Sequence, residues 1–215
     1  PNVLWITLDS VRADHTSIDG YERDTTPRMA TLGEEGRAFP NCIAHSKATL
    51  GSSGSILTGL APTRHTLSVD GTVLPEGIQT VPERYSEAGY TTACLSRNSY
   101  VSSATGLDRG FDRMQWLASD TIHEAGARTL LGYLRNIRRH SAGFTLDTAK
   151  HATPYLMNAT AKRWLRDFES GEDPFFFYLH YNEPHRPYYP PLGYLDKYTN
   201  ELPMSGREAA ERAME

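Results

Sequence analysis

The sequence predicts an α/β fold: a wound, largely parallel sheet with helices packed on it. Two segments carry that prediction, Val3-Leu4-Trp5-Ile6-Thr7-Leu8 and Phe175-Phe176-Phe177-Tyr178-Leu179-His180-Tyr181. Both are near-continuous apolar runs, the pattern of strands buried on both faces of a parallel sheet. The third observation is order, because strand-like runs alternate with helical segments along the chain, as in wound α/β sheets. With 215 residues, 39% hydrophobic and 22% charged, the chain has enough apolar material for a packed core, and global disorder is excluded. That length suits one domain or one large lobe of a bigger enzyme.

Each element has a local reason. The first strand, Val3 to Leu8, is closed by Asp9-Ser10. Thr26-Pro27 opens a helix that runs to Glu35 and stops at Gly36, which is the usual placing of proline and glycine around a helix. Arg37 to Ala44 reads as a short strand. A second helix is expected from about Gly51 to Thr58, ended by Gly59, and a third from Val81 to Ala88, ended by Gly89. Thr91 to Ser96 then forms a strand. Beyond Gly110-Phe111-Asp112, Leu130, Leu131, Leu134 and Ile137 share one helical face, and Thr145 to Phe168 has looser helical periodicity. The aromatic strand Phe175 to Tyr181 ends in a proline- and tyrosine-rich loop, Pro184 to Pro191, which continues neither element. Arg207 to Glu215 reads as a helix without a C-terminal cap. Cys42 and Cys94 are too few for a disulfide framework, and both sit in strand-like runs, where buried small hydrophobes are expected.

Several functional classes are excluded at this level. The net charge is -4 and the isoelectric point about 6.1, so there is no basic footprint for nucleic acid. No apolar run approaches the ~20 residues of a membrane span, and mean hydropathy is -0.52. The first residues lack a charged segment and cleavage site, so a soluble, cytoplasmic protein is expected.

Ligands of wound sheets collect at the carboxyl ends of strands. Three such ends carry polar groups: Asp9, Arg97-Asn98, and Asn182-Glu183-Pro184-His185. The segment Thr49-Leu50-Gly51-Ser52-Ser53-Gly54-Ser55 adds a hydroxyl at a helix start, where free N–H groups favour an anion. Beside a metal-bound carboxylate, such a hydroxyl becomes a nucleophile toward a phosphate or sulfate group. Simpler readings stand next to these. Asp9 suits a turn cap, Thr49 an N-cap, and His185 a surface histidine; Arg135, Arg138, Arg139 and His140 suit a solvated helix face. His123, His140 and His151 have no ligand-like spacing.

Taken in order, the segments resemble the sulfatase family of the alkaline-phosphatase-like superfamily, over nearly the whole chain from Pro1 to about Pro191. Pro1-Asn2-Val3-Leu4-Trp5-Ile6-Thr7-Leu8-Asp9-Ser10 is similar to the opening metal-binding strand. Gly20-Tyr21 with Asp24-Thr25-Thr26-Pro27 is similar to the approach to the first helix. Thr49 through Leu57-Thr58-Gly59-Leu60-Ala61-Pro62-Thr63-Arg64-His65 resembles the nucleophile signature. Gly89-Tyr90-Thr91-Thr92, Gly110-Phe111-Asp112 and His180 to Tyr188 complete the set.

The resemblance implies a three-layer α/β/α alkaline-phosphatase-like fold, of which residues 1–215 are the N-terminal portion without the C-terminal part. It implies a metal-dependent hydrolase of sulfate or phosphate esters, with the phosphoryl or phosphoglycerol transferases and a non-catalytic anion-binding relative as alternatives. Asp9 matches the first metal-binding aspartate, while Ser10 stands where many members have a second, leaving a weaker ligand. Thr49 falls at the formylglycine-forming cysteine or serine and is the candidate nucleophile and metal ligand; threonine is no substrate for formylglycine formation. Gly51 replaces the signature proline and Ser53 its arginine. Arg97 matches a lysine that binds the ester's charged oxygens, with Asn98 beside it, and Ser99 stands where a histidine is common. His185 matches the histidine that contacts the ester or protonates its leaving group, and Tyr188 and Tyr189 would line the leaving-group pocket. One divalent ion (Ca, Mg, Mn or Zn) is implied, as is a small-molecule, glycan or lipid sulfate or phosphate ester as partner. A lobe without its C-terminal half would expose a sheet edge, which favours a homo-oligomer or docking of another segment.

Overall fold

The computed structural model describes residues 1–68, 72–117, 126–141, 154–200 and 202–214. Four strands, β1 (Val3–Leu8), β2 (Thr91–Ser96), β3 (Arg113–Trp116) and β4 (Phe175–Tyr181), form one sheet in the order β1-β4-β2-β3. Every pairing is parallel, and the register sets Thr7 and Ser96 on either side of His180. The helices are α1 (Pro27–Glu35), α2 (Thr49–Thr58), α3 (Pro62–His65), α4 (Val81–Glu87), α5 (Ala127–Arg135), α6 (Ile137–His140), α7 (Pro154–Glu169), α8 (Leu192–Leu195) and α9 (Gly206–Arg212).

The strand pleat sorts the core into two layers, because successive side chains point to opposite faces. On one face Phe176, Tyr178 and Cys94 pack with Leu50 and Leu57 of α2 and with Leu67, Leu74, Val101 and Leu107. On the other, Phe177, Leu179, Ala93 and Leu95 pack with Met157, Ala161 and Trp164 of α7. The central strands β4 and β2 are therefore covered on both sides, in the expected three-layer α/β/α arrangement. Tyr178 and His180 share the α2 face, a placement that matters for the site.

The helix ends follow their sequence chemistry. At α4, Thr80 accepts from the Glu83 N–H while Glu83 accepts from the Thr80 N–H, a reciprocal cap. At α9, Ser205 accepts from the Glu208 N–H. The helix end α9 reaches is Arg212, and it begins at Gly206. α2 starts two residues earlier than the sequence pattern suggests. Gly54 in its middle faces His65, where an added Cβ would stand 2.8 Å from Cε1. His65 Nδ1 accepts from the Leu67 N–H at 3.1 Å, so its proton lies on Nε2 beside Ser55 Oγ at 3.1 Å. This buried histidine ties α3 to α2, and burial lowers its pKa.

Four expectations need correction, and one strand had no counterpart among them. Arg37 to Ala44 is not a strand: it turns at Pro40-Asn41, and Phe39, Cys42 and Ile43 (83% exposed) face solvent. Proline removes a ladder donor there, and no sheet neighbour is at hand. Cys42 is thus exposed, whereas Cys94 is buried in the core as expected. β1 is not buried on both faces. It is the sheet edge among the described residues, and Leu4, Trp5, Ile6 (52% exposed) and Leu8 are exposed. The inward line is Leu130 and Tyr133 of α5 with Ile137 of α6, while Leu131 and Leu134 face outward. β3 was not legible, because Arg113-Met114-Gln115-Trp116 has no apolar run and is held by pairing with β2. His123, His151 and residues 145–153 of the expected long helix lie outside the described residues. Among those described, no helix is long and apolar enough to cross a membrane.

A thiol test follows. Burial pushes the Cys94 thiol far above its ordinary value, while Cys42 is exposed. Iodoacetamide on the native protein should modify Cys42 alone, and both cysteines after denaturation. Rapid native labelling of Cys94 would contradict the packing of β2 against α2.

Candidate functional site

Three strand ends and one helix start meet at a single carboxylate. Asp9 follows β1, and its N–H donates to the Tyr181 carbonyl at 3.0 Å, extending the ladder by one residue. One step past Leu8, it stands on the same sheet face as Thr7, in register with His180. Thr49, the first residue of α2, donates its hydroxyl to Asp9 Oδ2 at 2.9 Å. Asn98, two residues past β2, donates Nδ2–H to the same oxygen at 3.2 Å. His180 Nε2 lies 3.4 Å from it. Ser10 donates to Oδ1 at 3.1 Å, from a backbone with φ +60. That left-handed conformation costs a serine about 1 kcal/mol.

The Thr49 contact decides between two readings of the residue. The N-cap of α2 is Ala48, and no side chain caps it; the Thr49 hydroxyl is spent on Asp9 instead. Asn98 is held rigidly. Its second amide hydrogen goes to Asn182 Oδ1 at 3.2 Å, its Oδ1 accepts from the Tyr100 N–H at 3.0 Å, and its backbone N–H and C=O both bond Ser96 Oγ.

The electrostatics of Asp9 are those of a guarded anion. Burial by itself raises its pKa, but hydrogen bonds from His180, Thr49 and Ser10, with the electrostatic pull of His180, outweigh burial and hold it below the ordinary carboxylate value. His180 is 1% exposed and was missed by sequence reasoning, hidden in the most apolar strand. The Tyr178 hydroxyl lies 3.0 Å from His180 Nδ1. Burial pushes the Tyr178 phenol up, so it stays protonated and donates to Nδ1, which leaves Nε2–H to face Asp9. The signal was present: Tyr178 and His180 share pleat parity, and His180 is one residue from the end where ligands collect.

The other expected residues surround this centre. Arg97 is half-buried and its N–H donates to the His180 carbonyl at 3.0 Å. His185 is exposed; its Nδ1–H donates to the Arg186 carbonyl at 2.8 Å, so Nε2 is the nitrogen available to a ligand. It bonds neither Asp9 nor Thr49. It lines an open cleft of about 980 Å³ with Tyr155, Tyr188, Tyr189 and Tyr194. Ser53 is buried in α2 beside Tyr178, and an arginine would not fit there. Ser99 is exposed.

For a divalent cation the oxygen donors are the Asp9 carboxylate, the Thr49 and Ser10 hydroxyls and the Asn182 amide oxygen. Hard oxygens of this kind suit Mg or Ca. No cluster of three or more histidine, cysteine, aspartate or glutamate side chains suited to a metal occurs among the described residues. The set therefore fits one side of a coordination shell, with further ligands required from elsewhere.

Removing the Tyr178 hydroxyl should cost about 1 kcal/mol, and His180→Leu, which strips a donor from a part-buried carboxylate, about 3 kcal/mol. Urea denaturation of the two variants checks this; equal, negligible losses would contradict the Asp9–His180–Tyr178 chain.

Comparison with known proteins places the chain in a family. A family model described as Sulfatase matches residues 1–212. The chain is 23% identical over 231 residues to an arylsulfatase of Clostridium perfringens, covering 94% of this chain and 47% of that one. It thus spans about half that relative's length. Its fold is similar to that of a phosphonate monoester hydrolase of Agrobacterium radiobacter, with TM-score 0.67, 20% identity, and coverage of 87% and 42%. A protein solved with its substrate D-glucosamine-2-N,6-O-disulfate has TM-score 0.67 and 22% identity, with coverage of 93% and 38%.

Proposed function

The chain belongs to the sulfatase family, and from that premise we propose that it handles sulfate or phosphate esters, with Thr49 as the nucleophile. The observation that supports this most is the hydrogen bond from Thr49 Oγ to Asp9 Oδ2 at 2.9 Å. It fixes the hydroxyl's hydrogen on the carboxylate side. A carboxylate kept ionised by its donors also gives the attacking oxygen a fixed orientation, which lowers the entropic part of the barrier.

Thr49 Oγ gives its proton to Asp9 Oδ2 and bonds to sulfur or phosphorus while the bond to the leaving oxygen, opposite it, breaks. Arg97 neutralises charge on the non-bridging oxygens, and Asn98 reaches them by exchanging its bond to Asn182. His185, with Nδ1–H engaged by the Arg186 carbonyl, offers Nε2 as the atom that carries a proton to the leaving oxygen. Asp9 and Thr49, with Ser10 as a weaker partner, would hold a divalent cation; when bound, the ion lowers the hydroxyl's pKa and screens the ester's charge.

The threonine itself bears on the choice of ester. A formylglycine hydrate releases sulfate by collapsing to an aldehyde, and a threonine ester has no such exit. Its bond to sulfur or phosphorus must be broken by a second attack. Phosphorus accepts that attack more readily, so phosphate esters suit Thr49 better; an alcohol in place of water makes the same step a transfer. The leaving group lies toward the tyrosine-rich cleft beside His185. Flat aromatic walls suit a sugar ring, and a relative in fold was solved with a sulfated glucosamine, so we assign a glycan ester as the partner class.

Turnover of matched aryl sulfate, phosphate monoester and phosphodiester substrates by the full natural-length protein, with and without added divalent ions, tests this. Chelation should abolish turnover, and Thr49→Ala should lower it at least about 10³-fold. Near-normal turnover in Thr49→Ala would overturn the nucleophile assignment.

A further inference from the structure

We infer, on the ester reading above, that His180 is a positioning residue for the nucleophile: backed by Tyr178, it keeps the Asp9 carboxylate turned so that Oδ2 faces Thr49. The two oxygens of Asp9 are held unequally. Among the described residues, Oδ1 receives the exposed Ser10 hydroxyl alone. Oδ2, the oxygen that takes the Thr49 proton, receives the Thr49 hydroxyl, the Asn98 amide and His180 Nε2. A carboxylate turns easily about its Cβ–Cγ bond, because that torsion is broad and two-fold. Thr49 gives up its proton in the reaction and Asn98 turns to the ester, so neither can hold Asp9 throughout. His180 neither reacts nor moves. It is 1% exposed, stands on β4 in register between Thr7 of β1 and Ser96 of β2, and its carbonyl accepts the Arg97 N–H at 3.0 Å.

The proton that His180 offers is set from inside the protein. A neutral imidazole has two tautomers, and only the one with its hydrogen on Nε2 donates to Asp9; the other turns a lone pair against the carboxylate. The Tyr178 hydroxyl, 3.0 Å from Nδ1, donates there and selects the first. Tyr178 is itself fully buried, and the Ser53 hydroxyl stands beside its phenol. Thr49 and Ser53 lie four residues apart on α2, one turn of helix. The path from Asp9 through His180 and Tyr178 to Ser53 thus returns to the helix that carries the nucleophile, and fixes strand and helix to each other at both ends of that turn.

Packing does not call for this pair. The strand around it is apolar, with Phe175, Phe176, Phe177 and Leu179, and Phe176 on the same face stacks on Tyr85 with ring centres 4.5 Å apart. A buried polar group is expensive unless it is bonded. Apolar residues of similar volume in place of Tyr178 and His180 would fill the same space, an exchange that is often neutral or stabilising in buried polar clusters. Two buried polar rings are instead lined up on the one carboxylate that bonds the candidate nucleophile. Support of this kind, acting through one intervening residue, typically changes activity by about 10–100-fold.

Steady-state kinetics of the full natural-length protein on the best of the matched aryl esters, at a temperature where every variant is folded by circular dichroism, tests this. Tyr178→Phe should lower kcat about 10-fold and His180→Leu about 100-fold, with KM held within about 2-fold. His180→Gln, whose amide offers a donor near the place of Nε2, should regain at least about 10-fold over His180→Leu. That donor depends on no tautomer, so adding Tyr178→Phe to His180→Gln should cost less than about 3-fold. A merely structural pair would show neither the rescue nor the coupling. Nitrogen NMR of histidine-labelled protein, which needs no turnover, should find His180 protonated on Nε2 in the wild type and a mixture of tautomers in Tyr178→Phe. Positioning is overturned if His180→Leu keeps its kcat, if His180→Gln gives no rescue, if the two losses simply multiply, or if wild-type His180 carries its proton on Nδ1. Absent turnover of every ester by the wild type, with an Nε2 proton that depends on Tyr178, would remove the ester reading and leave the hold of His180 on Asp9 standing.

Discussion

A part-buried carboxylate has to be compensated by its surroundings, and the arrangement of this fold at the strand ends is organised around one, Asp9. Three segments far apart in sequence reach it, the first turn of α2 through Thr49, the end of β2 through Asn98 and β4 through His180, and its own neighbour Ser10 joins them. Stripping a partner from a buried charge costs about 3–5 kcal/mol, so these donors fix each other as well as the anion. The parallel register is what makes the meeting possible, since Thr7, His180 and Ser96 stand abreast and the residues beyond them emerge at one edge.

Behind the carboxylate the support continues inward. Tyr178 sets the proton of His180, and both residues belong to a strand whose alternate side chains build the core against α7. Both faces of β4 are apolar along most of its length, and the face that meets α2 turns polar only toward its end, at Tyr178 and His180. The tight approach of α2 to α3, which requires Gly54 opposite His65, brings the helix start to the strand ends. Gly51, which stands where the family's signature has proline, is also close-packed: an added Cβ would stand 2.8 Å from Ser46 Oγ.

The sheet was readable in the sequence because its strands are apolar on both faces, and the bounds Val3–Leu8, Thr91–Ser96 and Phe175–Tyr181 agree with the structure. Asp9, Thr49 and Asn98 were readable as a set because strand ends and a helix start converge in such folds. What was not readable depended on tertiary partners. β3 exists through its pairing with β2, and its residues have no strand signature. His180 looked like part of an apolar strand, since hydropathy patterns do not distinguish a satisfied core histidine from a supporting one. Arg37 to Ala44 had strand-like composition, but composition creates no neighbour to pair with, and its apolar side chains face solvent. The exposure of β1 has the same origin: an apolar strand is buried only where something covers it.

The central claim is that Thr49, oriented by Asp9, forms the covalent bond to the ester. Acid quenching during steady-state turnover, followed by peptide mass spectrometry, reads this directly. A phosphoryl or sulfuryl group on the peptide should map to Thr49 and vanish in Thr49→Ser only by moving to the new hydroxyl. Continued turnover with Thr49 unmodified, or the group on Ser52, Ser53 or Ser55, would contradict it.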